Sequence, residues 1–160
     1  MNQEKRRPDI AIVQTYPAVG EAFELTIDFD APENQPLEML KRDSYNPEGW
    51  NYTGKKVTGK HTRRFKLVQV GYSVTFAPFA EVRQKIVSHG EVPEGQWRQA
   101  FKATYPIHDG KGAVNVLDSS WVDSNGEARF PYIETLGLSS FSLTRRIFTE
   151  QCRYLVAIHE

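Results

Sequence analysis

The run Trp50-Asn51-Tyr52-Thr53-Gly54-Lys55-Lys56-Val57-Thr58-Gly59-Lys60-His61-Thr62-Arg63-Arg64 concentrates the residue types best suited to holding an anion. Basic side chains alternate there with Trp50, Tyr52 and, just beyond, Phe65. A cationic groove with aromatic platforms is how single nucleic-acid strands are held without sequence preference. Gly54 to His61 also approaches the phosphate-binding loop, whose backbone N–H groups cradle phosphates. The match fails where a Ser or Thr hydroxyl must meet Mg²⁺: that position is His61, and Thr62 comes one place late. The residues after Thr62 are patterned as strand, so no helix N-terminus would face a phosphate. The nucleotide loop is therefore set aside. Two possibilities remain: a nucleic-acid contact through Trp50, Tyr52, Lys55, Lys56, Lys60, Arg63 and Arg64, or a solvated lysine-rich loop beside a guarded strand edge. Twenty Lys and Arg against twenty Asp and Glu favour the second, because nucleic-acid footprints are strongly basic.

The other reactive side chains are scattered. His61, His89, His108 and His159 show no metal-ligand spacing, so neither metal nor cofactor is expected. His108-Asp109 precedes Gly110 and reads as a turn, with an acid–base dyad as the alternative. His89 falls in the last turn of a helix, where a cation suits the dipole. Cys152 shares a strand phase with Tyr154, Val156 and Ile158, which makes it a small apolar filler, with Arg153 on the opposite face. Asp118-Ser119-Ser120 lacks the Gly-x-Ser-x-Gly elbow that exposes a nucleophile. Arg63-Arg64 and Arg145-Arg146 each place one guanidinium on either face of a strand, and an inward one needs a buried acid.

These residues must be positioned by a body that is mostly strand. Phe23, Leu25, Ile27 and Phe29 alternate with Glu24, Thr26, Asp28 and Asp30, the clearest half-buried strand in the chain. Ile10–Val13 reads as a short strand after a frayed start at residues 1–8. Pro36 can open one helical turn through Lys41. Asp43 to Thr62 is a polar loop of about 20 residues, a length that is usually functional or mobile. Phe65 and Leu67, then Val68, Val70, Tyr72, Val74 and Phe76, alternate with a change of phase that suggests a bulge or bend.

Two helices come next. Phe79, Val82, Ile86 and Val87 form one stripe, which Gly90 would end in a left-handed turn. Trp97, Ala100, Phe101 and Thr104 form the other, over Glu94 to Thr104, with Pro106 closing it. The last third alternates repeatedly: Ser119–Val122, the turn Asp123-Ser124-Asn125-Gly126, Ala128–Ile133, Ser140–Leu143 and Cys152–Ile158. Pro131 denies a ladder hydrogen bond, so its strand is an edge or is broken there. Trp97, Trp121, Phe130 and Tyr132 are assigned to the core.

Strands, then two helices, then strands predict an α+β fold: a mainly antiparallel β-sheet, open or strongly curved, with a pair of short helices packed on one face. Residues 9–160 are expected to make one domain.

Charge is unevenly placed. Asp9, Glu21, Glu24, Asp28, Asp30, Glu33 and Glu38 occupy Pro8–Leu40 without a Lys or Arg. Lys55, Lys56, Lys60, Arg63, Arg64 and Lys66 occupy Gly49–Ala80 without an acid. Side by side, the two segments would neutralise one another, which is preferred to an outward-facing split. A lone cysteine, no secretion-type leader and no apolar run near 18 residues predict a soluble, intracellular and cytoplasmic protein that does not enter membranes.

With no catalytic constellation to read, the expected function is a non-catalytic binding module that meets a protein partner through a sheet edge or the Asp43–Thr62 loop. Single-stranded nucleic-acid binding through residues 50–66 is the alternative. A small enzyme, which would need His108, Asp109 or Asp118 to converge, ranks third.

Overall fold

The structure is a computed structural model that describes residues 15–71 and 76–159. In chain order the strands are β1 (Phe23–Asp28), β2 (Asn51–Tyr52), β3 (Lys60–Val68), β4 (Phe76–Pro78), β5 (Val114–Asn115), β6 (Trp121–Val122), β7 (Ala128–Ile133), β8 (Ser139–Leu143), β9 (Ile147–Thr149) and β10 (Arg153–Ala157). The helices are α1 (Pro36–Arg42), α2 (Phe79–Ile86) and α3 (Trp97–Thr104), and Pro32–Asn34 adds one 3-10 turn. Eight strands form a sheet in the order β1-β3-β10-β5-β7-β6-β2, with β8 also paired to β7, while β4 and β9 pair separately. β5 and β10 are parallel, and the other pairs are antiparallel. The chain therefore adopts the expected α+β fold on a mainly antiparallel sheet, without closing into a barrel. The basic start at residues 1–8, the Ile10–Val13 strand, Tyr72 and Val74 lie outside the described residues.

β1 forms where its alternation demands. Leu25 and Ile27 are buried, Glu24 and Thr26 are exposed, and Phe29 continues the buried face. β10 is different, because all five of its residues are buried. Leu155 and Ala157 join Phe65, Leu67, Leu25 and Ile27 on one side. Cys152, Tyr154 and Val156 join Val68, Val70 and Phe130 on the other. Cys152 is thus an apolar filler as expected, but Arg153 opposite it is buried too, at 3% exposure. A strand covered on both faces cannot keep a solvated side.

The two longer helices supply those two covers. Trp97, Ala100 and Phe101 of α3 belong to the Leu155 side, whereas Val82 and Ile86 of α2 belong to the Tyr154 side. The helix pair is therefore divided between the faces of β10, since each apolar layer needs its own lid. Phe65 and Trp97 approach to 4.7 Å between ring centroids, a contact of about 0.5–1.5 kcal/mol beyond simple burial. A third cluster, Met39, Leu40, Trp121 and Phe141 with Tyr45, Trp50 and Tyr52 against it, closes the end where α1, β2, β6 and β8 meet.

Several local expectations resolve differently from their sequence pattern. The phase change at Leu67-Val68 is no bulge: these neighbours face the two apolar layers, and β3 ends at Val68. Gly90 does not turn left-handed. It is glycine because a Cβ there would strike the Ala157 carbonyl, against which Glu91 forms a bridge. His89 lies beyond the end of α2. The Asp43–Thr62 loop is interrupted by β2, which pairs with β6, and ends inside β3. Pro131 pairs with Phe141 of β8 on one side of β7, and on the other it falls between ladders: Ala128 and Arg129 pair with β6, Tyr132 and Ile133 with β5, and the missing N–H falls in that gap. Arg145 and Arg146 occupy the turn between β8 and β9, the first 3.4 Å from Glu127 and the second over the Tyr132 ring at 4.7 Å.

Candidate functional site

The segment from Trp50 to Arg64 splits into three environments. Trp50 follows a turn closed by its own N–H on the Pro47 carbonyl. Its ring packs edge-on against Tyr45 at 5.4 Å and Phe141 at 6.2 Å, and the Arg129 guanidinium lies 5.2 Å over it. Trp50 is therefore committed to the third cluster and already holds a cation. Lys60, Arg63 and Arg64 lie along β3. Arg64 stands opposite Glu24 and Lys60 opposite Asp28 in the β1–β3 register, and Arg63 meets Glu91 at 3.2 Å. The acidic and basic segments do lie side by side along β1 and β3, which puts an acid across the ladder from Lys60 and Arg64, while the ion pair of Arg63 is with Glu91 from outside the acidic segment.

Tyr52, Lys55 and Lys56 come together in a third place. They line a cleft of about 280 Å³ whose other walls include Phe29, Asn34, Gln35, Pro36, Leu37, Val57 and Gln96. Tyr52 reaches it because its ring stands edge-on to the buried Trp121, 4.8 Å away. Gly54 must be glycine, since a Cβ would strike the Tyr52 hydroxyl and approach Ser120 Oγ. Lys55 and Lys56 are exposed and enter none of the ion pairs of the described residues.

The amide groups of the cleft are mostly spent. Asn34 Nδ2 donates to the Asp28 carbonyl at 2.8 Å, and Gln35 Nε2 donates to the carbonyls of Phe29 and Ala31 at 2.9 and 3.1 Å. Gln96 is the exception. It is 5% exposed, its Oε1 is fully buried, and no protein group donates to that oxygen. An acceptor held this way costs about 1–3 kcal/mol unless something supplies the missing donor.

Behind Tyr52 a smaller hollow of about 180 Å³ is lined by Arg83, Glu94, Asp118 and Ser120, with Tyr52, Gly54 and Lys55 shared between the two. Asp118 accepts from the Gly95 N–H at 2.8 Å, from the Ser120 N–H at 3.2 Å and from the Ser120 hydroxyl. Burial raises its carboxyl pKa, and these hydrogen bonds oppose the rise. Burial likewise raises the Tyr52 phenol, with the nearby Asp118 charge adding to it and a hydrogen bond from the Gln96 side chain opposing it.

At His108-Asp109, the alternative dyad, the two side chains stand 3.7 Å apart and the carboxylate is taken up by an arginine. Asp109 grips Arg153 with both oxygens at 2.7 and 2.8 Å, and Arg153 also donates to the Gly112 carbonyl at 2.7 Å. The guanidinium lies 5.2 Å over the ring of Tyr16, whose phenol burial pushes up to about 12. His108 Nδ1 accepts from the Gly110 N–H at 2.8 Å, the turn geometry its sequence suggests. His108 and Asp109 stand 3.7 Å apart and both feel the Arg153 charge, whereas Asp118 packs with Gly95 and Ser120 instead. Among the described residues no three His, Cys, Asp or Glu side chains gather as a metal ion requires, and no helix is long and apolar enough to cross a membrane.

His108 gives the molecule a testable acid response. Burial first, and the Arg153 charge second, hold its pKa below the ordinary 6.5. The unfolded chain then takes up a proton that the folded one refuses, so this stability is complete above pH 6.5 and shrinks as pH falls beneath it. Urea midpoints measured between about pH 7 and 5 should fall, and His108→Asn, which keeps an acceptor for Gly110, should flatten that decline. An unchanged slope in the variant would contradict the assignment.

Neither Gln96 nor the cleft itself is marked as a site in the sequence. A single glutamine ahead of a helical stripe has no periodicity to single it out. Arg98 carries no sequence signal either: it follows Trp97 on α3 and is fully buried against Asp43 at 2.7 Å. Compared with known protein families, curated proteins and solved structures, the chain finds no match.

Proposed function

We propose that the protein is a non-catalytic binding module that takes a segment of a partner protein into the Tyr52 cleft. The observation that carries this is a cleft walled by Phe29, Leu37 and Val57 and edged by Lys55 and Lys56, two exposed cations outside the ion pairs of the described residues. A polypeptide offers what these groups lack: an apolar side chain for the walls and a carboxylate for the lysines. The partner segment is accordingly acidic and carries at least one apolar residue.

A nucleic-acid strand is less well matched. Its bases need open aromatic faces, but Trp50 is covered by Arg129 and Tyr52 leans on Trp121. Its phosphates need a run of unopposed cations, but Arg63 is paired with Glu91, and Glu24 and Asp28 stand across the ladder from Arg64 and Lys60.

Fluorescence anisotropy with a pool of labelled acidic-apolar heptapeptides, and with oligo-dT as comparison, tests this function. Binding of the peptide pool should weaken about tenfold or more when Lys55→Glu and Lys56→Glu are combined. Oligo-dT binding with a log–log salt slope near −0.7 per phosphate would overturn it in favour of nucleic acid. Turnover of a substrate abolished by one His or Cys substitution would overturn it in favour of an enzyme.

A further inference from the structure

A larger hollow of about 700 Å³ lies where the end of α1, the outer side of α3 and the start of β8 meet, and it shares no lining residue with the Tyr52 cleft. We infer that it binds a small organic anion, whose carboxylate or phosphate head meets Lys102 and Ser139 while its apolar body lies on Ala103, Pro106 and Leu138.

The charge in this hollow is unbalanced for a structural reason. Lys102 follows Arg98 by one turn of α3, so the two cations share a helix face. Arg98 is fully buried and takes Asp43 at 2.7 Å, which spends that carboxylate. Lys102 is half-buried and donates to the Ser139 hydroxyl at 3.0 Å. Among the described residues its amine enters no ion pair, and neither does Arg42, exposed on the rim. Glu134 is the other carboxylate of the wall, and it pairs with neither cation. Burial and the Arg98 charge hold the Lys102 amine below its ordinary pKa, and Asp43 offsets only part of that. A cation so placed gains from an anion brought into the same space.

The rest of the wall says what the anion carries. Gln99 Oε1 accepts from Arg98 Nε and Nη2 at 3.2 and 2.8 Å. Its Nε2, without an acceptor among the described residues, is a further donor on the wall. Ser140 is committed instead, its hydroxyl bonded to that of Tyr45 at 2.8 Å. Beside these donors the wall turns apolar. Leu138 is 63% exposed, and Ala103 and Pro106 are exposed with it. The turn between β7 and β8 fixes Leu138 there: the Glu134 N–H donates to its carbonyl at 2.8 Å, and the Gly137 N–H donates to the Glu134 carbonyl at 2.7 Å. A bare inorganic ion would use the donors and leave the apolar wall wet. A neutral apolar molecule would cover that wall and leave Lys102 unpaired. A molecule with an anionic head and an apolar body answers both, and the hollow is of the size that holds small organic ligands.

Hexanoate and hexyl phosphate are the probes, with acetate, inorganic phosphate and hexanol as the head and the body alone. Each is titrated to millimolar concentration into the full chain, labelled with ¹⁵N, and followed by the Ala103, Leu138 and Ser139 N–H signals. At least one hexyl anion should shift them saturably, and the tighter of the two identifies the head. Acetate, inorganic phosphate and hexanol should each bind about tenfold more weakly or worse. Lys102→Gln should weaken binding of the hexyl anion about tenfold, and Lys102→Arg should retain most of it, while the spectrum elsewhere shows the fold intact. Hexanol binding as tightly as the anions overturns the charged head, and acetate or phosphate matching its hexyl counterpart overturns the apolar body. Undiminished affinity in Lys102→Gln, or no saturable shift with either hexyl anion, overturns the inference outright. The heptapeptide experiment reads a different set of residues, so failure here leaves the partner-binding function standing.

Discussion

Asp43→Asn should destabilise the protein by about 3–5 kcal/mol, the largest single-residue loss expected outside the apolar clusters. Arg98 is completely buried, and Asp43, its 2.7 Å partner, keeps a side chain only 4% exposed. Burial pushes the Asp43 carboxyl up and the Arg98 guanidinium down, and each charge offsets that shift in the other. Removing the acid alone strands a guanidinium in the interior without a counter-charge. For a chain of this size the melting temperature should drop by about 6–20 °C.

A second variant separates the ion pair from the geometry it supports. Arg98 Nη1 also donates to the Ser140 carbonyl at 2.9 Å, its Nη2 donates to Gln99 Oε1 at 2.8 Å, and its guanidinium covers Phe141 at 5.0 Å. It thereby satisfies the backbone of β8 as well as Asp43. Combining Asp43→Leu with Arg98→Met removes both charges, and apolar replacement of a buried pair is often neutral or better. Here recovery should be partial, because the Ser140 carbonyl loses its donor. A double variant no more stable than Asp43→Asn would contradict the account.

Gly112→Ala should cost about 2–4 kcal/mol, from backbone strain and steric overlap acting together. Gly112 has φ +124°, and a Cβ would strike the backbone carbonyl of Gln151, which cannot rotate away as a side chain could. Gly112 also supplies the carbonyl that Arg153 grips, so any shift loosens the Asp109–Arg153 contact. Gly126→Ala is the comparison. Its φ is +80°, but nothing lies within 4 Å of the added carbon, so only the left-handed penalty of about 1–2 kcal/mol remains. Urea unfolding of the two variants should differ accordingly, and equal losses would rule out the clash with Gln151 as the cause.

Much of the fold is legible in the sequence because it rests on local repetition. The alternation at Phe23–Phe29 forms β1 with the expected wet and dry faces. Pro36 opens α1, and Trp97, Ala100 and Phe101 form the buried stripe of α3. The C-terminal alternations form β6, β7, β8 and β10. Period-2 and helical spacing report the side a residue faces, which is a property of a few neighbours along the chain.

The candidate site is legible only in part. Tyr52, Lys55 and Lys56 stand out by residue type and do line one cleft. Trp50, Lys60, Arg63 and Arg64 stand out on the same grounds, but Trp50 lies under Arg129, Arg63 is paired with Glu91, and Lys60 and Arg64 sit across the ladder from Asp28 and Glu24. Type and spacing say what a side chain can bind, not what already stands beside it.

From residues alone the chain determined its longer strands, most of each helical stripe and its α+β class, since each depends on spacing within a dozen positions. Tertiary structure decided that β10 would be covered on both faces, that Arg98 would be buried on Asp43, and that Gln96 would keep an unfilled acceptor beside Tyr52. Those outcomes come from packing between segments far apart in sequence, where desolvation and hydrogen-bond satisfaction are settled by neighbours that no local pattern names.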